Sequence, residues 1–415
     1  MLFGKLKDRK GEIIYTVASI ASPVLGMINS IIANRYIAPS DMGAIQSVLL
    51  IITYVNFLQL GVFNGLNRNI AYYKVQKKHV TVQKMVDTSY FVSKIIAITS
   101  FILGACYLTY LIICNRQPIL IWGAVLLCIM LLFSPLTTHY DTTFRSGQEF
   151  KTLGFIKVKE SVVYLVTTVL PVFWGYIGYI ISQASKTIVG YILRREKEPF
   201  QYEHQQNLES YKELVRVGFP LLVSGYIWTL LMVVDQTYIV LYLGNEQLGL
   251  YTIARQCTAA FSVLPGAINS LLYPKAAACY GATGNVKSLK PFWWKSLILF
   301  IIVLVPTVLI GYFILPVFVD FVMPKYHGGI IVGQIALLSG LTYICNGPSV
   351  VFGTISKNMA DIIVLTILFG LFWLILIVFH DFFSTIVDVA ILRLIVLGIQ
   401  MIFSLSLSYY YINRK

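Results

Sequence analysis

Pro118–His139 reads PILIWGAVLLCIMLLFSPLTTH, with no Lys, Arg, Asp or Glu between Arg116 and Asp141. A helix rises about 1.5 Å per residue, so roughly 20 such residues cross a ~30 Å hydrocarbon layer. Working outward from this run, twelve apolar stretches of similar character lie at about 13–34, 43–64, 88–113, 118–139, 153–172, 174–193, 217–242, 248–272, 293–316, 329–351, 361–379 and 386–411. No soluble domain fits between them. Hydrocarbon offers backbone groups no water partner, and these runs lack period-2 alternation, which selects helices over a barrel. The expected fold class is an all-α integral membrane protein with 12 transmembrane helices.

Composition agrees, with a mean hydropathy of +0.76, 57% hydrophobic residues and only 12% charged ones. The net charge of +14 would suggest nucleic acid in a soluble chain, but here its placement decides the matter. Counting loops alternately, one side carries only Arg35, Arg116 and Lys325. Lys94, Lys186, Arg255 and Arg393 lie inside spans, and all the remaining Lys and Arg residues fall on the side of the termini. Both termini are therefore expected in the cytoplasm. The basic, then apolar, N-terminus has no clear small-residue cleavage site and runs on into a second span, so it reads as a retained first helix rather than a signal peptide.

Several chemistries have no motif. The six cysteines (Cys106, Cys114, Cys128, Cys257, Cys279 and Cys345) show no CxxC pairing, the five histidines form no HExxH, and GxxxxGK[ST] is missing. No metal, cofactor, disulfide framework or ATP hydrolysis is expected, and the chain reads as a transporter rather than an enzyme.

The longest charged interruption, Arg194–Arg216, separates six spans from six and divides the chain into an expected N-lobe over 1–205 and a C-lobe over 206–415. Ala33–Gln46 (ANRYIAPSDMGAIQ) aligns without gaps on Ile239–Thr252 (IVLYLGNEQLGLYT) when 206 is added to each number, matching Tyr36 to Tyr242 and Gly43 to Gly249. The alternative is accidental likeness between apolar segments. An even number of spans per half gives repeats of the same orientation, related by an axis along the membrane normal.

Ionisable side chains at membrane depth are costly unless paired or hydrated, so each is a functional candidate. Asp235 and Arg255 lie at similar depth in successive spans and are expected to pair. The carboxylate is either an ion-coupling group or half of a static structural pair. Lys94, Lys186 and Arg393 either snorkel to the headgroups or, together with Arg255, line a cavity suited to an anion, above all a phosphate. Arg68 ends the string Gly61–Asn69 (GVFNGLNRN) and serves either as a positive-inside anchor or as a first contact for a lipid headgroup. The aromatic clusters Tyr72-Tyr73, Phe292-Trp293-Trp294 and Tyr409-Tyr410-Tyr411 read as interfacial belts.

The segment Gly218-Phe219-Pro220-Leu221-Leu222, followed by Asp235 and Tyr242–Tyr251 (YLGNEQLGLY), resembles the start of the second lobe in Wzx-type polysaccharide repeat-unit flippases of the multidrug/oligosaccharidyl-lipid/polysaccharide (MOP) exporter superfamily. Gly43, Asn64-Gly65…Arg68 and Phe144–Phe150 (FRSGQEF) are similar to that family's first lobe, so the resemblance spans essentially the full chain. It implies a MATE-like fold in the bacterial cytoplasmic membrane. The implied activity is ion-coupled (proton or sodium), alternating-access flipping of undecaprenyl-diphosphate-linked oligosaccharide for O-antigen, capsule or exopolysaccharide synthesis. Arg68 matches the family's basic residue ending span 2, and Asp235 its acidic residue in span 7. The implied partners are the lipid-linked oligosaccharide, membrane lipid, and a polysaccharide polymerase with its chain-length protein; nucleic acid is not one. The competing classes are a multidrug or cation antiporter, for which intramembrane carboxylates are scarce, and a membrane polysaccharide polymerase, for which the outer loops are short. The lipid II flippase branch usually carries two additional spans.

Overall fold

The computed structural model describes residues 2–203, 206–262, 265, 268, 286–349 and 360–414. Among these residues the chain is helical throughout, with no strand. Its first half contains α1 (Leu2–Tyr36), α2 (Pro39–Val55), α3 (Val62–Val75), α4 (His79–Ile113), α5 (Pro118–Gly147), α6 (Phe150–Thr167) and α7 (Leu170–Glu196). Then follow α8 (Leu208–Leu231), α9 (Val234–Tyr238), α10 (Asn245–Leu250), α11 (252–262), α12 (Lys290–Val322), α13 (Ile330–Ser339), α14 (Ala360–Val378) and α15 (Ile386–Arg414).

The run that opened the reading became α5. Proline stands in its first turn, where a missing N–H costs nothing, and Gln148 ends it in the left-handed region at φ 65°. Among the described residues eight helices are long and apolar enough to cross a bilayer, or nine if α6 and α7, bent by 119° at their junction, count as one broken span. Twelve were expected from hydropathy, which measures composition and is blind to backbone continuity. The expected span 217–242 breaks after Leu231 and resumes as α9 and a π turn over Ile239–Leu243. The expected span 248–272 lies partly outside the described residues, as does Cys279, and the apolar part of α14, Ile363–Val378, is short. The described residues are all-α with eight or nine apolar spans, and the expected spans 248–272 and 329–351 run into residues outside those described.

The chain forms two compact units: Met1–Ile37 with Ala44–Thr229, and Ala38–Gly43 with Leu230–Lys415. The expected boundary at 205/206 lies inside the first unit, and a backbone contact accounts for this. A Cβ on Gly218 would overlap the carbonyl oxygen of Gly61, and one on Gly65 would overlap that of Leu214. These glycines let α8 press against α3 main chain to main chain. Leu214 accordingly belongs to the same core as Val62, Leu66, Ile70, Met85 and Val86.

Within the first unit, α1 packs on α6, α4 on α5, and α7 on both α5 and α6. A second core joins Ala97, Leu136, Tyr140 and Phe144 to Leu153 and Ile156. Polar groups bind α1 to the hairpin: Asn29 Nδ2 donates to Thr168 Oγ1 (2.6 Å) and Ser182 Oγ (3.2 Å), and Ser22 meets Ser161 at 2.6 Å. Inside a bilayer such bonds act as glue because lipid offers no alternative partner.

In the second unit α13 and α14 pack on α15, and Trp293 of α12 donates from Nε1 to Ser408 Oγ at 2.9 Å. The outer face of α12 is bare: Phe313, Val317 and Phe321 are each at least 70% exposed, as expected of side chains that face acyl chains. The second unit also holds the repeat contact. A Cβ on Gly43 would overlap the carbonyl oxygen of Asn245, and one on Gly249 would overlap that of Pro39. Pro39 and Asn245 are themselves equivalent under the 206-residue offset, so each copy's glycine receives the other copy's first carbonyl. A reciprocal i-to-j, j-to-i contact is the local signature of a two-fold relation.

Candidate functional site

A break in the second apolar run lines a polar cavity. After Val55 the chain tightens into a 3-10 turn, Asn56–Gln59, then passes through Leu60 (φ 46°) and Gly61 (φ 83°) before α3 begins. Left-handed backbone is inexpensive at glycine and costly at leucine. Tyr226 of α8 repairs the hydrogen bonding: its hydroxyl donates to the carbonyls of Thr53 (2.9 Å) and Tyr54 (3.1 Å). Irregular backbone at membrane depth is tolerated where protein covers it or where it lines a polar cavity.

Here it does both. A cavity of about 310 Å³ lies within the first unit, lined by Thr53, Asn56, Gln59 and Asn64 from the break, Ser134, Pro135 and Thr138 from α5, and Gly225, Tyr226 and Thr229 from α8. Phe63, Ile96, Leu131, Leu221 and Leu222 supply apolar wall. No Asp, Glu, Lys, Arg or His is among its lining residues.

The ionic site is elsewhere, in the second unit. Asp235 is fully buried at the start of α9. One carboxylate oxygen, Oδ2, accepts from Arg393 Nη1 of α15 and from the Tyr251 hydroxyl (2.5 Å), and the other, Oδ1, accepts the Gln236 amide at 2.8 Å. Arg393 is 4% exposed and turns Nη2 toward Met232 Sδ at 3.6 Å. Its Nε has no hydrogen-bond partner among the described residues. The expected partner, Arg255, does not reach the carboxylate. Depth along neighbouring spans pointed to it, but Arg393 arrives from a helix far away in sequence.

The other cations are dispersed. Arg68 is exposed on α3. Lys94, half-buried on α4, holds its ammonium 4.1 Å from the centre of the Tyr90 ring, and Lys186, half-buried on α7, holds its own 4.5 Å from that of Tyr164. Both geometries are cation–π contacts. Of the six expected site residues, only Asp235 and Arg393 come together, and none of the six lines the cavity of the first unit.

Two constellations escaped the sequence reading. Arg194, assigned to a loop, is buried and paired with Asp141 (2.7 Å) and Glu160 (2.9 Å). Beyond α7 the chain folds back: Tyr202 stacks on Tyr90 at 3.9 Å and meets His139 Nε2 at 3.1 Å, while Thr143 donates to Glu198 Oε2 at 3.1 Å. Burial pushes the Glu198 carboxyl up to about 8, against the opposing pull of hydrogen bonds from Thr143 and Tyr202. Charge density in the linker was legible, but the partners that bury it were not, because they lie from 34 residues away (Glu160 from Arg194) to more than a hundred (Tyr90 from Tyr202). The neutral cavity left no signal beyond the Asn and Gln residues around Gly61.

Continuous apolar helices, a broken helix at a polar cavity and a buried ion pair define a multi-pass membrane protein built like a transporter. The fold is that of the MOP superfamily. A multidrug-resistance MATE-family transporter in its inward-facing conformation matches with a TM-score of 0.76 and 13% identity, over 96% of this chain and 98% of that one. The lipid II flippase MurJ, in an inward closed conformation, matches at 0.70 and 15%, over 95% and 87%. A MOP transporter from Pyrococcus furiosus, described as having a binding pocket of reverse polarity, matches at 0.67 and 13%, over 98% and 96%. No curated protein matches. The chain belongs to the polysaccharide biosynthesis protein family, whose model matches residues 9–278.

Proposed function

We propose that this protein flips undecaprenyl-diphosphate-linked oligosaccharide repeat units across the bacterial cytoplasmic membrane by ion-coupled alternating access, for synthesis of a surface polysaccharide. Membership of the polysaccharide biosynthesis family carries this reading. The transporter fold and an uncharged polar cavity in an apolar helical unit support it. A glycan cannot cross hydrocarbon bare, because each desolvated hydroxyl costs several kcal/mol, about 4–8 by water-to-cyclohexane transfer. A cavity with hydrogen-bonding walls replaces that lost water while the polyprenyl tail stays in lipid.

In this reading Arg68, Lys94, Lys186 and Arg255 supply the cationic surroundings through which the diphosphate passes. Arg393 enters through its pair with Asp235, the coupling carboxylate. A proton or sodium ion arriving at Asp235 competes with the guanidinium, and α15 then shifts relative to α9. Alternating access carries the substrate across, and a polymerase and chain-length protein receive it outside. Purified protein in liposomes, supplied with a labelled polyprenyl-diphosphate disaccharide, is expected to move the label to the opposite leaflet. Basal flipping rates in both protein-containing and empty liposomes would overturn the proposal.

A further inference from the structure

We propose that the cavity beside the 56–61 break is a binding subsite for uncharged sugar residues, so that the cargo enters it with a neutral glycan rather than with an acidic sugar or the diphosphate. This rests on the flippase reading and narrows its substrate class.

The wall chemistry carries the inference. The carboxamides of Asn56, Gln59 and Asn64 make no hydrogen bond to other described residues, although each offers donors and an acceptor. The Ser134 hydroxyl is equally uncommitted, and Thr138 adds an acceptor. Unspent groups that both donate and accept match sugar hydroxyls, which also do both. A metal ion would ask for acceptors alone, and a phosphate for cations.

Charge gives the second argument. No lining residue is ionisable within the working pH range, and a carboxylate brought beside apolar wall without a counter-charge keeps a desolvation penalty that amide donors offset only in part. Hexuronic or other acidic sugars are thereby excluded. Phe63, Leu131 and Leu221 offer apolar surface to the C–H faces of a ring. Size agrees, since 310 Å³ is at the lower end of the ~300–1,000 Å³ range of small-molecule sites, suited to one or two sugar rings.

The test uses the full chain in liposomes with two fluorescent probes on one polyprenyl-diphosphate carrier: a neutral N-acetylhexosaminyl-hexose, and the same disaccharide with the hexose oxidised at C6 to the uronic acid. The neutral probe is expected to flip at least about tenfold faster, since a buried unpaired charge costs more than the 1.4 kcal/mol that tenfold represents. Asn64→Ala and Ser134→Ala remove no hydrogen bond between described residues. With unchanged elution and melting in detergent, each is expected to slow the neutral probe about fivefold and narrow the preference. Equal rates for the two probes, or faster flipping of the acidic one, would overturn the subsite while leaving flipping in place. So would full neutral rates in both alanine variants. If wild-type protein flips neither probe, the flippase reading itself fails and takes the subsite with it.

Discussion

At the residue scale the most consequential groups are acids in unusual settings. Glu198 keeps its proton up to about pH 8 when the linker is seated, whereas a solvated glutamate ionises near its ordinary 4.5. Seating is thus unpenalised below about 4.5, grows costlier as pH rises toward 8, and levels off above it. Hydrogen exchange over 198–203, relative to the intrinsic rate, is expected to show protection falling across that window, and Glu198→Gln to abolish the dependence. Protection equally pH-dependent in the variant would refute this. For Asp235 and Arg393, removing one partner strands the other's buried charge, at a cost of about 3–5 kcal/mol. Asp235→Ala and Arg393→Ala should each lower the detergent melting temperature sharply, and the double variant by less than their sum. Strict additivity would show the pair to be energetically uncoupled.

Elements are positioned by main-chain contact as much as by side chains. Gly43, Gly249 and Gly218 each stand where an added methyl group meets a carbonyl, so Ala there is expected to destabilise by about 1–3 kcal/mol or to prevent folding. Gly370, on α14, faces open space. Ala at that position should instead be neutral or stabilising by about 0.5–1 kcal/mol, because it removes chain freedom only from the unfolded state. Melting of purified variants separates the two classes. The same contrast explains what could be read beforehand. Pro118–His139 declared itself because the bilayer acts on composition residue by residue. The break after Val55 did not, since Leu60 gives no warning of a positive φ and Gly61 looks like any small helix-packing residue. The expected Asp235–Arg255 pair rested on depth alone, and depth says nothing of which helix face meets which.

For the whole molecule, sidedness is the expectation most open to direct measurement. The distribution of positive charge predicts the termini inside and the α4–α5 turn outside. Cys114, exposed beside that turn and not in a disulfide, is expected to react with a membrane-impermeant maleimide added to intact cells. Labelling only after lysis would invert the topology. The dispersal of Arg68, Lys94 and Lys186 over three helices bears on the substrate at this scale. A total of +14 is a fact of the chain, but whether it gathers into one electropositive vestibule depends on which cations are already spoken for. Arg393 and Arg194 are consumed by carboxylates, and Lys94 and Lys186 rest on aromatic rings.

The assignment of Ala38–Gly43 to the unit otherwise formed by Leu230–Lys415 bears on how this polypeptide can be dissected. One cut anywhere in the chain leaves at least one fragment short of residues that its own partner surface requires. A C-terminal half that begins at Leu230 should therefore fail alone and recover only with the N-terminal half beside it, and recombination between related genes should exchange the Pro39–Gly43 segment along with its distant counterpart.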